Sequence, residues 1–271
     1  MINFNIAAWR AWAPGLDSVA DWQAWSQHPH AIAASDASPD VSFLPAMQRR
    51  RLSRLARMAF SVGWPLAEGH EALPLVFVSR HGETPRTFDM LSELAASQPL
   101  SPTQFSLSVH NAVIGLWSIM RGETSEMTAL AAAGDGLEHG LIEACALLND
   151  GAPAVLLVIT EELPPEAYRP WIDDVPFAYA AGLLLTPGEQ WHLSLSTRPA
   201  GVDQAPWPHT LHLLQHLLSG QTSFQHAWQN RLWTLSASRA CKLPITPTKG
   251  PITPASLQVS SSSLPCPYKQ W

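Results

Sequence analysis

An unbroken apolar run, AVLLVIT at residues 154–160, is the feature that most constrains how this chain of 271 residues folds. A strand with one wet face alternates polar and apolar residues, whereas a strand that is apolar throughout is covered on both faces. The run follows a helical pattern over residues 137–148 that ends at Asn149, Asp150 and Gly151. A helix that leads into a doubly covered strand is typical of an α/β layered fold.

The same alternation of strand and helix continues along most of the chain. Short apolar runs predict strands at residues 2–12, 73–78, 127–133, 154–160, 178–185, 191–196 and 231–235. Apolar spacings of three and four predict helices at residues 18–25 (capped by Asp17), 45–63, 87–96, 111–120, 137–148 and 208–218. Pro187 and Gly188 favour a hairpin between the strands at 178–185 and 191–196.

These elements predict one α/β domain over residues 1–240, with a mostly parallel mixed sheet between covering helices. Residues 241–271 are rich in Pro, Ser and Thr and have no period. This composition is typical of a disordered tail or of vector-derived sequence, so we leave this segment out of the fold.

Charge and cysteine usage exclude several classes of function. Only 14% of the residues are charged, 46% are hydrophobic, and the net charge is −6. The acidic balance argues against binding of nucleic acid or of an anionic membrane, and a surface poor in charge is often covered by a partner. The three cysteines form no CxxC motif, and we recognise neither a signal peptide nor a membrane-spanning run. We therefore expect a cytoplasmic protein.

A pentapeptide after the predicted strand at 73–78 suggests an enzyme instead. Arg80-His81-Gly82-Glu83-Thr84 resembles the signature of the histidine phosphatases, in which the histidine accepts a phosphoryl group and the arginine binds its oxygens. In that family the motif follows the first strand and works with a second arginine–histidine pair, for which we find no similar site here. We therefore interpret the pentapeptide as a tight loop that turns at Gly82, and keep a phosphohydrolase as an alternative function.

Residues 122–151, GETSEMTALAAAGDGLEHGLIEACALLNDG, resemble the nucleophile region of the β-ketoacyl synthases, the condensing enzymes of fatty acid and polyketide synthesis. That family has a glycine, a small-residue strand, a Thr-Ala-Cys elbow and a helix that ends in glycine. Asn111 and Gly115 match a second family motif, and FAYAAGLLLTPG at 177–188 resembles a third. The order and spacing are similar to short chain-length factors, some of which are encoded in aryl-polyene pigment clusters.

The resemblance implies half of a thiolase-like layered fold without the ketosynthase nucleophile. Ungapped alignment between Gly122 and Gly151 puts Gly134 at the cysteine position, and glycine cannot form an acyl-enzyme. Cys145, about three turns further along the helix, is expected to be a small core residue. The family's two catalytic histidines come from a C-terminal half that this chain is too short to hold.

We therefore expect a non-catalytic chain-length-factor-like subunit with no cofactor and no catalytic residue. Its expected partner is an active β-ketoacyl synthase, whose acyl tunnel it shapes in polyketide, aryl polyene or fatty-acid-type chain elongation. A scaffold without a partner is a further alternative.

Two segments are expected to contact partners. In ketosynthases the segment before the matching asparagine lies at the dimer interface and reaches the floor of the partner's acyl pocket. The resemblance gives that place to Thr103, Gln104, Phe105, Ser106 and Asn111. A basic run is expected either to be a solvated helix face or to dock an acidic acyl carrier protein through Arg49, Arg50 and Arg54.

One group of histidines has a spacing that metal sites use. His209, His212 and His216 are three and four residues apart on a predicted helix. No acidic or cysteine residue joins them in sequence, so we interpret them as a wet or partner-facing stripe and expect no metal.

A second cluster, at a helix start, consists of Asp135, Glu138 and His139. Acidic residues are expected there from the helix dipole alone, so we assign the cluster no catalytic role.

Overall fold

In a computed structural model the described residues, 2–238, form a seven-stranded sheet with helices on both faces. The strands are β1 (Ile2–Trp12), β2 (Leu75–Val78), β3 (Met127–Leu130), β4 (Val155–Glu161), β5 (Tyr179–Thr197), β6 (Ser223–Trp228) and β7 (Arg231–Ala237). The helices are α1 (Val19–Gln27), α2 (Ala46–Arg49), α3 (Arg54–Gly63), α4 (Thr84–Ala95), α5 (Pro102–Ser106), α6 (Ala112–Arg121), α7 (Gly136–Asn149) and α8 (His209–Ser219). The predicted tail at 241–271 lies outside the described residues.

The sheet is mixed, as the sequence predicts. The strand order is β3-β2-β4-β5-β7-β6, and β1 pairs with β5. Parallel pairing is confined to β2 with β3 and with β4, whereas the other four pairings are antiparallel. The expectation of a mostly parallel sheet is therefore corrected. The cause is the second half of the chain, which returns through antiparallel connections rather than through helical crossovers of the βαβ type.

The predicted hairpin at Pro187-Gly188 is wrong, because β5 continues through it as a single strand of 19 residues. The register of β1 on β5 shifts here, so that Phe4 faces Trp191 and the next residue, Asn5, faces Thr186. The Asn5 side chain fills the gap: its Nδ2 donates to the Pro187 carbonyl (3.3 Å), and its Oδ1 accepts from the Gln190 amide (3.0 Å). These bonds stand in for ladder bonds, so the Pro-Gly pair makes a bulge and not a turn.

Serine side chains set two helix starts that the sequence misplaced. The predicted helix at 45–63 is two helices, because Ser53 caps α3 by accepting a hydrogen bond from the Ala56 amide (3.0 Å). Ser18, and not Asp17, caps α1, and Asp21 bonds back to the Ser18 amide to complete a capping box. Local side-chain bonds to the backbone thus override the apolar periodicity at both positions.

The strand predicted at residues 154–160, β4, is covered on both faces as predicted. All seven residues of β4 are buried. Val155, Leu157 and Ile159 belong to the core shared with α1, α7 and α8, whereas Leu156 and Val158 belong to the core under α3 and α6. Among residues 2–238, no helix has the length and hydropathy needed to cross a bilayer.

Candidate functional site

Gly134 lies in the loop between β3 and α7, just before the start of the helix. The space that a side chain would need is taken by Trp228, from the end of β6. A Cβ built on Gly134 would lie 2.2 Å from both Cε3 and Cζ3 of the indole. Any other residue at position 134 therefore requires the tryptophan to move.

Asp135 fixes the β6–β7 hairpin in front of Gly134. Its buried carboxylate accepts hydrogen bonds from Arg231 Nε (2.6 Å) and from Trp233 Nε1 (3.0 Å). Both donors are on β7, and the two-residue turn at Gln229 and Asn230 joins β7 to Trp228. Asp135 therefore holds the tryptophan over the glycine, and the two together close the elbow.

Glu138, in the first turn of α7, is completely buried and is bound by two histidines. His209 Nδ1 from α8 lies 2.9 Å from Glu138 Oε2, and His226 Nδ1 from β6 lies 2.5 Å from Oε1. Burial opposes ionisation of Glu138, but the hydrogen bonds from the two imidazoles outweigh it and lower the carboxyl pKa to about 2. Burial also lowers the pKa of His226, against the pull of the carboxylate. The Glu138 carboxylate thus accepts a hydrogen bond from the Nδ1 of His226.

The prediction that the histidines of α8 form a wet or partner-facing stripe is therefore wrong. His209 is buried and bonded to Glu138. His212 and His216 are half-buried, and their Nε2 atoms lie 2.7 Å apart. Burial, followed by the neighbouring histidines, lowers the pKa of His212 to about 3. The sequence could not link Glu138 to these histidines because the pairing joins residues that are 71 and 88 positions apart.

We use the name elbow region for Gly134, Asp135 and Glu138 together with the β6–β7 hairpin. The sequence predicted β7 in part but missed β6, and with it Trp228 and His226. Gln229 has a φ of 52° in the hairpin turn, a conformation that Asn and Gly adopt more readily. The turn dipeptide Gln229-Asn230 is not one of the favoured hairpin dipeptides, and β6 is not an apolar run, so the local signal for this hairpin is weak.

A cavity of about 490 Å³ lies beside the elbow region, at the carboxyl ends of β2 and β4. Its wall includes Gly134, Trp228, His209, Arg80 and Glu161. No cysteine or serine is among the described residues that line it. The described lining therefore offers no thiol for the acyl transfer of a condensing enzyme, and its hydroxyls come from Thr210 and Tyr179.

The Arg80-His81-Gly82 loop binds acidic side chains of its own chain. Ser79 Oγ and the amides of Arg80 and His81 donate to the Glu161 carboxylate, while burial raises the Glu161 pKa to about 7. The side chains of Arg80 and His81 both contact Asp174, at 2.6 and 3.0 Å. Gly82 turns the chain at a φ of 53°, as predicted. One carboxylate thus occupies the two groups that a phosphatase would use.

Cys145 is buried in the core, as predicted, and burial raises the pKa of its thiol to about 12. The thiolate that a nucleophile requires is therefore disfavoured at this position.

The segment expected at a partner's acyl pocket is on the surface. Thr103, Gln104, Phe105 and Ser106 lie on α5, and all four are exposed, as is Asn111 just before α6. Apolar side chains are exposed around them and on α4, and we call this set the α4–α5 surface: Leu91, Leu94, Leu100, Phe105 and Val109. Apolar side chains that are exposed on neighbouring segments are typical of surfaces that bind a partner.

The basic run is divided between internal and surface contacts. Arg54 binds Glu162 (3.3 Å) and the carbonyls of Ser35 and Ala37, so its guanidinium holds the chain before α2. Arg50 is exposed and Arg49 is half-buried. If a carrier protein docks on this run, the freely accessible cation of the predicted set is Arg50.

The α/β layers, the glycine at the strand–elbow–helix turn and the exposed segment before α6 together define a ketosynthase type of fold. The family model of the β-ketoacyl synthase N-terminal domain matches residues 22–236. This chain therefore belongs to the β-ketoacyl synthase N-terminal domain family, and the predicted thiolase-like α/β fold is confirmed.

Solved structures agree with this assignment. A chain in the structure of a ketosynthase (ApeO) in complex with its chain length factor (ApeC) from Xenorhabdus doucetiae is 32% identical. The match has a TM-score of 0.78 and covers 87% of this chain and 100% of that one.

Two further structures support the fold alone. The ishigamide ketosynthase/chain length factor is 13% identical with a TM-score of 0.57, over 72% of this chain and 67% of that one. A β-ketoacyl synthase from Burkholderia phymatum is 13% identical with a TM-score of 0.51, over 81% and 71%. No curated protein sequence matches significantly.

Proposed function

We propose that this chain is a non-catalytic, chain-length-factor-like subunit that pairs with an active β-ketoacyl synthase and shapes its acyl tunnel. The observation that carries the proposal is the closed elbow. Gly134, which alignment to the family puts at the nucleophile position, has no side chain, and the Trp228 ring fills the volume that a cysteine would need there. A condensing enzyme requires a thiolate there, so chemistry in the complex falls to the partner.

The α4–α5 surface supports the choice of partner. It carries five exposed apolar side chains, and it includes the segment that the family places at its dimer interface. A second observation is the related complex from Xenorhabdus doucetiae, in which a ketosynthase is bound to its chain length factor. We infer that the ketosynthase covers this surface in a heterodimer. The products that we propose are of the polyketide, aryl polyene or fatty-acid type, made in the cytoplasm.

We further propose that α5 sets the length of the product. Gln104 and Phe105 project from an exposed helix that has no buried residue, so α5 has room to enter a partner's pocket. Gln104 is steadied by Arg86, whose Nη1 donates to its Oε1 (3.1 Å). Thr103, Ser106 and Asn111 would border the same pocket. A closed apolar tunnel cannot take an extra carbon pair without overpacking, which costs roughly 1–3 kcal/mol.

Product analysis of the reconstituted complex tests this proposal. Gln104→Trp is expected to shorten the products, and Phe105→Ala is expected to lengthen them or broaden their distribution. Leu195→Ala is the matched control, because Leu195 is an apolar residue on β5 that is 52% exposed, against 62% for Phe105. Unchanged product lengths in complexes that assemble normally would make the chain a scaffold and not a ruler.

Carrier-protein docking is a separate part of the proposal. Arg50 is exposed beside Arg49, and an acidic carrier protein would be attracted to this short basic run. Arg50→Glu is expected to raise the KM of the complex for the acyl carrier protein while leaving kcat unchanged. Arg54→Glu is a poor test, because it would also break the internal bond to Glu162.

A further inference from the structure

The buried cluster around Glu138 has a composition that is unusual for a protein core. One carboxylate and four imidazoles lie together where α7, α8 and β6 meet. Within this cluster the rings of His209 and His226 stack at 4.2 Å, and those of His212 and His226 are 5.0 Å apart. Hydrogen bonds account for only some of the imidazole nitrogens.

Two buried nitrogens in the cluster have no hydrogen-bond partner among the described residues: His212 Nδ1 and His226 Nε2. His226 is itself completely buried. Buried polar groups in native proteins are nearly always paired, and exceptions often mark a ligand, water or ion that belongs there. The cluster therefore has donor and acceptor capacity that the protein alone does not use.

We propose that Glu138, His209 and His226 form a binding site for one divalent transition-metal ion of the zinc type. One carboxylate oxygen of Glu138 and one ring nitrogen from each histidine lie within 4.8 Å of one another. Two imidazoles and one carboxylate are ligands that Zn²⁺ prefers. The carboxylate also supplies a negative charge next to the ion in an otherwise dry core.

Only small movements of the Glu138, His209 and His226 side chains are needed for them to coordinate an ion. The Nδ1 atoms of His209 and His226 lie 2.5–3.0 Å from the Glu138 oxygens, as donors of hydrogen bonds. Tetrahedral zinc with bonds of about 2.0–2.1 Å keeps its ligands about 3.3 Å apart. Binding would therefore open these contacts by less than about 1 Å and tilt the two stacked rings toward the ion.

The protons also balance. Each Nδ1 must give up its proton to coordinate, and a neutral imidazole can carry that proton on Nε2 instead. In His226 this tautomer places an N–H at the nitrogen that now has no partner. The nearby His212 offers a buried Nδ1 that is also without a partner and whose lone pair can accept. Metal binding and satisfaction of the cluster therefore act in the same direction.

The cavity beside the elbow region gives the ion a route. His209 lines this cavity, and so do Leu137 and Ala227, the chain neighbours of Glu138 and His226. A water molecule from the cavity can supply a fourth ligand. Because its ligands come from α7, α8 and β6, the ion would fasten the β6–β7 hairpin to the helix that begins at Gly134. Its expected effect is structural.

Metal titration of the untagged full chain, stripped with chelator, tests the proposal. We expect one Zn²⁺ or Co²⁺ per chain, visible absorption from tetrahedral Co²⁺, and a Tm raised by roughly 5–10 °C at an ion concentration about 100-fold above Kd. His226→Asn and His209→Asn keep a side-chain amide that can donate to Glu138, but an amide is a poor metal ligand. Both variants should therefore still fold but should no longer bind the ion. His192→Asn on β5, whose ring contacts Asn3 outside the cluster, is the control and should retain binding.

Two results would overturn the site. One is that the wild-type chain binds no ion and its Tm does not change, which makes the cluster a purely hydrogen-bonded core. The other is that the His209→Asn/His226→Asn double variant binds as wild type does, which places any bound ion elsewhere on the chain.

Discussion

Around Gly134 the acidic side chains are buried and bonded within the chain, whereas on the α4–α5 surface apolar side chains face outward. The first region uses Asp135 and Glu138 to hold a hairpin over Gly134. The second leaves Leu94 and Phe105 more than half exposed. In this chain the loop before α7 is closed by side chains of the same chain, while the α4–α5 surface stays open. The predictions below test each side of this contrast.

The largest effect on folding is expected from Glu138→Ala. This change leaves two buried histidines without their carboxylate, and breaking a buried charged network costs roughly 3–5 kcal/mol of unfolding free energy. Glu143→Ala is the control, since Glu143 is on the same helix but half-buried and bonded only to Thr128. Urea unfolding measures both. Equal losses would mean that the Glu138 cluster does not hold the elbow region together.

Glu161 should make stability depend on pH. Its pKa is raised to about 7 in the folded protein, from an ordinary value of 4.5. Between these two values the folded state keeps a proton that the unfolded state releases, so stability falls as pH rises through this window. The loss is complete above about pH 7 and is on the order of 3 kcal/mol.

Unfolding in urea at several pH values between 4.5 and 8 tests this effect. Glu161→Gln should flatten the decline, whereas Glu93→Gln on the exposed side of α4 should leave it unchanged. The same decline in wild type and Glu161→Gln would show that the Arg80-His81 loop binds an ionised carboxylate at all pH values tested.

Gly134→Ala measures how tightly the elbow is closed. The added Cβ overlaps the Trp228 ring, so we expect a loss of roughly 1–3 kcal/mol in unfolding free energy. Gly115→Ala on α6 is the matched control, since a Cβ there meets nothing within 4 Å and should stabilise the helix by roughly 0.5–1 kcal/mol. In a Trp228→Ala background the cost of Gly134→Ala should almost vanish. If Gly134→Ala costs the same unfolding free energy with and without Trp228→Ala, the Trp228 ring does not fill the space at Gly134.

The smallest effect on stability, but a large one on assembly, is expected on the α4–α5 surface. Leu94→Glu should change the free energy of unfolding by less than about 0.5 kcal/mol, because Leu94 is 56% exposed. It should nevertheless reduce co-purification with the ketosynthase at least about tenfold, because a charge would be buried at the interface. Leu195→Glu should leave assembly unchanged. If wild type, Leu94→Glu and Leu195→Glu all recover the same amount of ketosynthase, the interface does not lie on the α4–α5 surface.

More of the fold than of the candidate site could be predicted from the sequence. The apolar run of β4 and the glycine spacing around α7 sufficed to predict the layers, because local pattern and burial agree there. Alignment to the family also predicted that position 134 replaces the nucleophile. The sequence did not predict that Trp228 covers this glycine, because Trp228 lies on β6, an unpredicted strand, 94 positions away in the chain.

The same limit explains the histidines. Their spacing of three and four was visible on α8, but the carboxylate that binds His209 comes from α7. Long-range pairing of this kind leaves no periodic signal in sequence. The bulge at Pro187 shows the converse: a strong local turn signal was overridden by Asn5 on the neighbouring strand.

Intact-protein mass spectrometry of the reconstituted complex tests the central claim most directly. After incubation with an acyl donor, we predict an acyl adduct on the ketosynthase and none on this chain, with condensation only when both subunits are present. The same result is predicted for Gly134→Cys, because the cysteine would lie against Trp228. An acyl adduct on the wild-type chain, or condensation by it alone, would contradict the account.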